Sequence, residues 1–142
     1  MLVRREELKE LMKRKLMAGG LHEDHADQTA EVLTWSSERG LHSHGEVRVE
    51  YYTERIYKGG INVDPKWSWE QTGPCTGVVD GDNGCGYPFA ILGLEKAMGL
   101  AKENGIGVVC AVCRTRALLA TIPRWLRRVT CAVSPCASPI RW

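Results

Sequence analysis

The chain of 142 residues has a single Phe, four His, and no Lys, Asp or Glu after Asn104. Its other gaps exclude whole classes of function. No apolar run approaches the ~20 residues a membrane span needs. The start is charged from Arg4 onward and has no apolar signal core, so a cytoplasmic protein with no membrane partner is expected. There is no G-x-G-x-x-G phosphate loop, because Gly81, Gly84 and Gly86 are wrongly spaced. The acidic turn Asp80-Gly81-Asp82-Asn83-Gly84 lacks the EF-hand spacing and its closing Glu. Six Cys are present, at 75, 85, 110, 113, 131 and 136. Without a secretory signal a disulfide framework is not expected. Cys110 and Cys113 form a C-x-x-C, but only Cys131 and Cys136 follow and every His lies far upstream. No metal site is expected from that set.

What is present reads as one α/β domain by length, large enough for a modest core. The net charge of +2 hides an asymmetry: 13 Lys plus Arg against 17 Asp plus Glu up to Asn104, then six Arg alone to Trp142. A basic tail can bind nucleic acid. Arg without Lys, set among Cys, Trp and Pro, argues against that partner. Leu8, Leu11, Met12 and Leu16 predict an amphipathic helix over 4–18, ended by Gly19-Gly20. Ala26, Ala30, Val32 and Leu33 predict a second over 23–39, with Gly40 as C-cap. Residues 61–69 read as extended or irregular, and Thr76–Val79 as a short strand. Ile91, Leu94, Met98 and Ala101 predict a helix over 87–104 with Pro88 at its first position, and 106–112 reads as a buried strand. N-terminal helices followed by a mixed helix–strand unit define the expected fold class.

The chemistry concentrates in Leu41–Gly60, LHSHGEVRVEYYTERIYKGG. Ser43 and Glu46 have capping-box spacing, which predicts a helix starting at Ser43 with His44 in its first turn. His44, Arg48 and Tyr52 then follow at steps of four, and each step overshoots a full turn by only about 40°. A proton-transfer group, a fixed cation and a phenol on one face suit a small carboxylate with a reactive carbon. The same spacing also describes a solvated helix face. His22 and His42 read as surface residues, and Tyr51 as packing.

Ser43-His44-Gly45 with Arg48 and Tyr52 resembles the signature of the malate/L-lactate dehydrogenase type-2 family. RVEYY, ERI-x-KGG and TGPC, ending at Tyr52, Gly60 and Cys75, carry the resemblance further, and it covers roughly Leu8 to Val112. Members are NAD(P)-dependent oxidoreductases of 2-hydroxy acids with a non-Rossmann fold. The resemblance implies His44 as the acid/base or polarising group and Arg48 as the substrate-carboxylate clamp. Tyr52 would be a pocket hydrogen bonder and Ser43 a further substrate contact. It also implies NAD or NADP as acceptor and a homodimer. Members are more than twice this length, so residues 1–112 read as an N-terminal portion without the nicotinamide-binding part. A non-enzymatic α/β interaction module is the alternative, and a Cys-based metal or redox protein ranks below it.

Beyond Val112 the family pattern fails, and residues 113–142 read as a non-family tail. Pro123, Pro135 and Pro139 break any regular element there. Strand 106–112, deprived of its family neighbours, would present an unpaired apolar edge. Read one frame over with synonymous codons, the tail from Arg114 can spell H-S-G-A-I-G-Y-Y-T-A. From Ala132 it can spell G-I-A-L-C-Q-S-D-P-M. Both resemble the family's continuation, in order and in place, and the first would supply a second site histidine. The tail is therefore expected to be out of frame. Resequencing the gene from the Val112 codon should find the shifted frame open and encoding that continuation. A shifted frame that is broken or unrelated would refute the expectation.

Overall fold

The computed structural model describes residues 3–113 and the backbone of 131–136. The chain divides into two compact units, Met1–Asp64 and Pro65–Trp142.

The first unit is helical. It contains α1 (Arg5–Ala18), α2 (Glu23–Ser37), a short 3-10 turn η1 (His42–His44) and α3 (Val47–Tyr57). Helix α1 packs against α2 and α3. Its apolar stripe is Met12 and Leu16, both buried, whereas the predicted Leu11 is 56% exposed. Ala26, Ala30, Val32 and Leu33 of α2 are buried, as their spacing predicts. Helix α2 ends at Ser37, earlier than predicted, and Gly40 takes positive φ (72°) in the turn beyond. Buried Thr34 and Ser36 donate to the carbonyls of Ala30 (2.8 Å) and Val32 (3.1 Å), so no polar atom there needs a distant partner.

Charges set the pairing of α1 with α2. Arg5 pairs with Glu31 and Glu38, Lys9 with Asp27 and Glu31, and Lys13 with Glu23 and Asp27. The order rises on one helix as it falls on the other, so the two run antiparallel. Single exposed pairs stabilise little. As a ladder they specify register, while Leu16 and Leu33, both at 0% exposure, supply the burial.

The second unit contains β1 (Ser68–Gly73), β2 (Thr76–Asp80), α4 (Gly86–Asn104), β3 (Gly107–Val112) and β4 (Cys131–Cys136), with sheet order β1-β2-β3-β4. The β1–β2 hairpin is antiparallel, and β2–β3 and β3–β4 are parallel. Helix α4 is the crossover of a β2-α4-β3 unit and covers Val79 and Val109 with Phe89, Leu94, Ala97 and Leu100. It starts at Gly86, so Pro88 stands third in its first turn, where an N–H still has no intrahelical acceptor. Gly105 closes it in the left-handed conformation, φ 80°. Strand β1 starts within 61–69, read as extended or irregular, and runs on through residues given no element, because its sequence SWEQTG lacks an apolar alternation.

Strand β3 is not an edge. It lies between β2 and β4, and β1 and β4 hold the edges. Pro135, read as a breaker, lies inside β4, and an edge strand tolerates a residue without an N–H. Ile106 is 51% exposed and precedes the strand. Cys110 is disulfide-bonded, against the expectation drawn from the missing secretory signal, whereas Cys75, Cys85 and Cys113 are free thiols. The C-x-x-C is therefore not a bonded pair. Beyond Cys113 and the β4 backbone, the residues assigned to the out-of-frame tail lie outside the described residues.

Two close approaches set the geometry of this unit. The Trp69 ring lies over Gly77, where an added Cβ would come 2.1 Å from its Cζ–Cη edge. At Gly107 an added Cβ would stand 2.0 Å from the Ala97 carbonyl oxygen, so β3 passes directly against the backbone of α4. Gly99, by contrast, has open space around its Cβ position. Gly107→Ala should destabilise the unit by about 1–3 kcal/mol or more through overpacking against backbone. Gly99→Ala should stabilise it by ~0.5–1 kcal/mol through helix propensity. Urea unfolding of both variants checks the pair, and equal effects would contradict this packing.

Candidate active site

All four predicted site residues lie in the first unit, but not on one helix. Ser43 and His44 belong to η1, which is closed by His44 N–H to Leu41 O (2.9 Å) and Gly45 N–H to His42 O (3.0 Å). Gly45 leaves helical geometry at φ −104°, ψ −131°, and α3 starts afresh at Val47. The predicted helix start at Ser43 is thus corrected, and so is the capping box. His44 is not in the first turn of α3.

The chain passes close to α2 at this break. A Cβ on Gly45 would come 2.2 Å from Ser37 Oγ and 3.1 Å from Ser37 N, so η1 rests directly on the end of α2. The capping pair then finds other partners. Ser37 Oγ accepts the Glu46 N–H at 3.1 Å, and Glu46 Oε2 lies within hydrogen-bond reach of the same hydroxyl. That hydroxyl has one proton, for which Leu33 O (3.0 Å) competes with Glu46 Oε2. Glu46 Oε1 lies 2.8 Å from His42 Nδ1. Partial burial opposes charge on Glu46. The hydrogen bonds from Ser37, its own backbone N–H and His42 together outweigh it and hold the carboxyl below the usual range.

Ser43 and Arg48 link the rest. Ser43 Oγ lies 3.1 Å from His44 Nδ1, and the Arg48 Nε–H donates to Ser43 O at 2.7 Å. The half-buried Arg48 thus reaches back from α3 to η1 and keeps its Nη groups without a hydrogen bond among the described residues. Arg48 and Tyr52 share one face of α3, as the spacing of four requires. Tyr52 is only 3% exposed and meets Tyr51 edge-on at 5.9 Å. The structure brings His44, Ser43 and Arg48 into one connected group, with Tyr52 in the core one turn on. The roles of Ser37 and Glu46 were not legible locally, since their contact spans nine positions.

The arrangement has the chemical parts to hold an anion beside a proton carrier. A guanidinium with one N–H fixed to the backbone offers its remaining donors to a carboxylate. An imidazole with one ring nitrogen on a hydroxyl presents the other to a reacting group.

The glycines of the 81–84 turn pack against a core side chain. Added Cβ atoms at Gly81 and Gly84 would meet the Phe89 ring at 2.6 and 2.5 Å, so both make room for a core side chain.

The family model for malate/L-lactate dehydrogenase matches residues 3–120. The chain belongs to this family. It is 48% identical over 109 residues to ureidoglycolate dehydrogenase (NAD(+)) of Escherichia coli K12, covering 77% of this chain and 31% of that protein. With malate dehydrogenase from Pyrococcus horikoshii the identity is 36% over 92 residues, covering 65% of this chain and 26% of that protein. The fold agrees with the solved structure of the P. horikoshii enzyme at a TM-score of 0.74 and 33% identity, over 78% of this chain and 32% of that one. It agrees with sulfolactate dehydrogenase from Methanocaldococcus jannaschii at 0.72 and 34%, over 77% and 32%. The chain therefore spans about a third of the length of these relatives. No helix among the described residues is long and apolar enough to cross a membrane.

Because Glu46 is held below its unfolded pKa, it adds stability above about pH 4.5 and loses it as the pH falls through the lower folded value. Glu46→Ala should cost about 1 kcal/mol at neutral pH. Glu46→Gln should flatten the stability profile between about pH 5 and pH 3. Denaturant midpoints read across that range decide it, and an unchanged profile would count against the Ser37–Glu46–His42 contact.

Proposed function

We propose that this chain carries the substrate-anion side of a 2-hydroxy acid dehydrogenase site. The observation that carries the reading is the connected group His44–Ser43–Arg48 within a member of this family. Arg48 holds the substrate carboxylate through its Nη groups. His44 takes the hydroxyl proton as the carbon gives up hydride, and the 2-hydroxy acid becomes the 2-keto acid. Ser43 orients the imidazole and contacts substrate, and Tyr52 backs the pocket from the core. A nicotinamide, NAD or NADP, supplies the hydride acceptor when bound, and we place its binding portion outside this chain. The substrate is ureidoglycolate or a similar small 2-hydroxy acid, in keeping with the 48% identical relative. The whole enzyme is a cytoplasmic homodimer in this reading. The tail from Cys113 is out of frame, with the second site histidine encoded in the shifted frame.

The second reading is a non-catalytic α/β module that binds a full-length subunit. Copurification with such a subunit would favour it.

The purified 142-residue chain should show no NAD-dependent turnover. It should still bind lactate or glycolate weakly, with Arg48→Gln reducing affinity about tenfold or more. NMR titration measures this. Binding that ignores Arg48→Gln would remove the basis of the proposal, and turnover by this chain would overturn the assignment of the cofactor portion.

A further inference from the structure

Helix α3 opens without a side-chain cap, although Ser43 and Glu46 have the spacing to provide one. A cap there would be locally favourable. Both side chains turn to η1 instead. Ser43 Oγ lies 3.1 Å from His44 Nδ1, and Glu46 reaches His42 and Ser37. A local preference given up at two residues together marks a functional or strained place.

The turn depends on those contacts. It buries none of its own residues, and a single 3-10 turn is weakly held by its backbone alone. The His44 ring bonds to the adjacent Ser43, which moves with it. Among the described residues, two side-chain tethers tie η1 to its neighbours. Arg48 Nε–H donates to Ser43 O at 2.7 Å and ties it to α3. His42, 2.8 Å from Glu46 Oε1, ties it through Glu46 to Ser37 at the end of α2. The Glu46 carboxylate only accepts, so His42 must turn Nδ1–H toward it, which fixes both the tautomer and the ring.

We propose that His42 is a positioning residue: its Nδ1–H on Glu46 sets the angle of η1 and so aims the His44 imidazole at the substrate hydroxyl. The inference rests on the reading of His44 as the group that takes the hydroxyl proton, and names the residue that holds it in place. His42 touches no reacting atom. Its side chain is 64% exposed, so the pair adds little stability and its effect is on geometry.

The test is NMR titration of the 142-residue chain with lactate and with propionate, which lacks the hydroxyl. The ratio of the two affinities reads the contact between hydroxyl and His44. In the unmodified chain lactate should bind about fivefold tighter. His42→Ala and His42→Gln should bring the ratio to about one, with propionate affinity and urea midpoint nearly unchanged. His42→Asn, whose amide N–H stands where Nδ1–H does, should restore it. A ratio that survives His42→Ala but not His44→Ala overturns the positioning role alone. So does a ratio that Asn fails to restore, or one that falls only in step with the urea midpoint. A ratio near one in the unmodified chain, or one that survives His44→Ala, overturns the reading of His44 and the role of His42 with it.

Discussion

The seam between the end of α2 and the start of α3 decides where the chemistry of this chain stands. Gly45 lets η1 lie against Ser37, with no room for a side chain between them. Glu46 then turns back onto the Ser37 hydroxyl and onto His42 instead of capping its own helix. With the backbone pinned at that point, Ser43 O falls within reach of Arg48 Nε, and Ser43 Oγ within reach of His44. Each of these bonds adds about 1 kcal/mol at most. Their importance is positional, because together they fix one geometry for a histidine and an arginine on different elements.

The second unit is organised by contacts of another kind. Its crossover depends on backbone passing backbone at Gly107 and Ala97, and its hairpin on an indole filling the space above Gly77. Gly81 and Gly84 serve the same purpose under Phe89, the only phenylalanine of the chain. Four glycines in one sheet-and-helix layer are thus spent on close packing. In the acidic turn, Gly81 and Gly84 thus make room for a core ring.

The chain belongs to the malate/L-lactate dehydrogenase family, but spacing alone does not separate a solvated helix face from a substrate clamp. The physical contribution of the structure is to separate the residues that touch from those that only align. His44, Ser43 and Arg48 are linked by hydrogen bonds, whereas Tyr52 is core first. On α3, Arg48 and Arg55 both approach the ring of Tyr51.

The sequence alone determined what depends on local periodicity and on residue chemistry. The apolar spacing of Met12 and Leu16, and of Ala26, Ala30 and Leu33, marked α1 and α2. Gly105 marked the end of α4, and the His44–Arg48 motif marked the family. Tertiary structure decided what depends on contacts between distant positions. The close approach at Gly45 was invisible locally because its partner is Ser37, a residue on another helix. Strand β1 was legible only as a partly extended stretch because pairing with β2, not apolar alternation, makes it a strand. The neighbours of β3 were misjudged because sheet order is set by which edges meet in space, and no pattern within a strand encodes that.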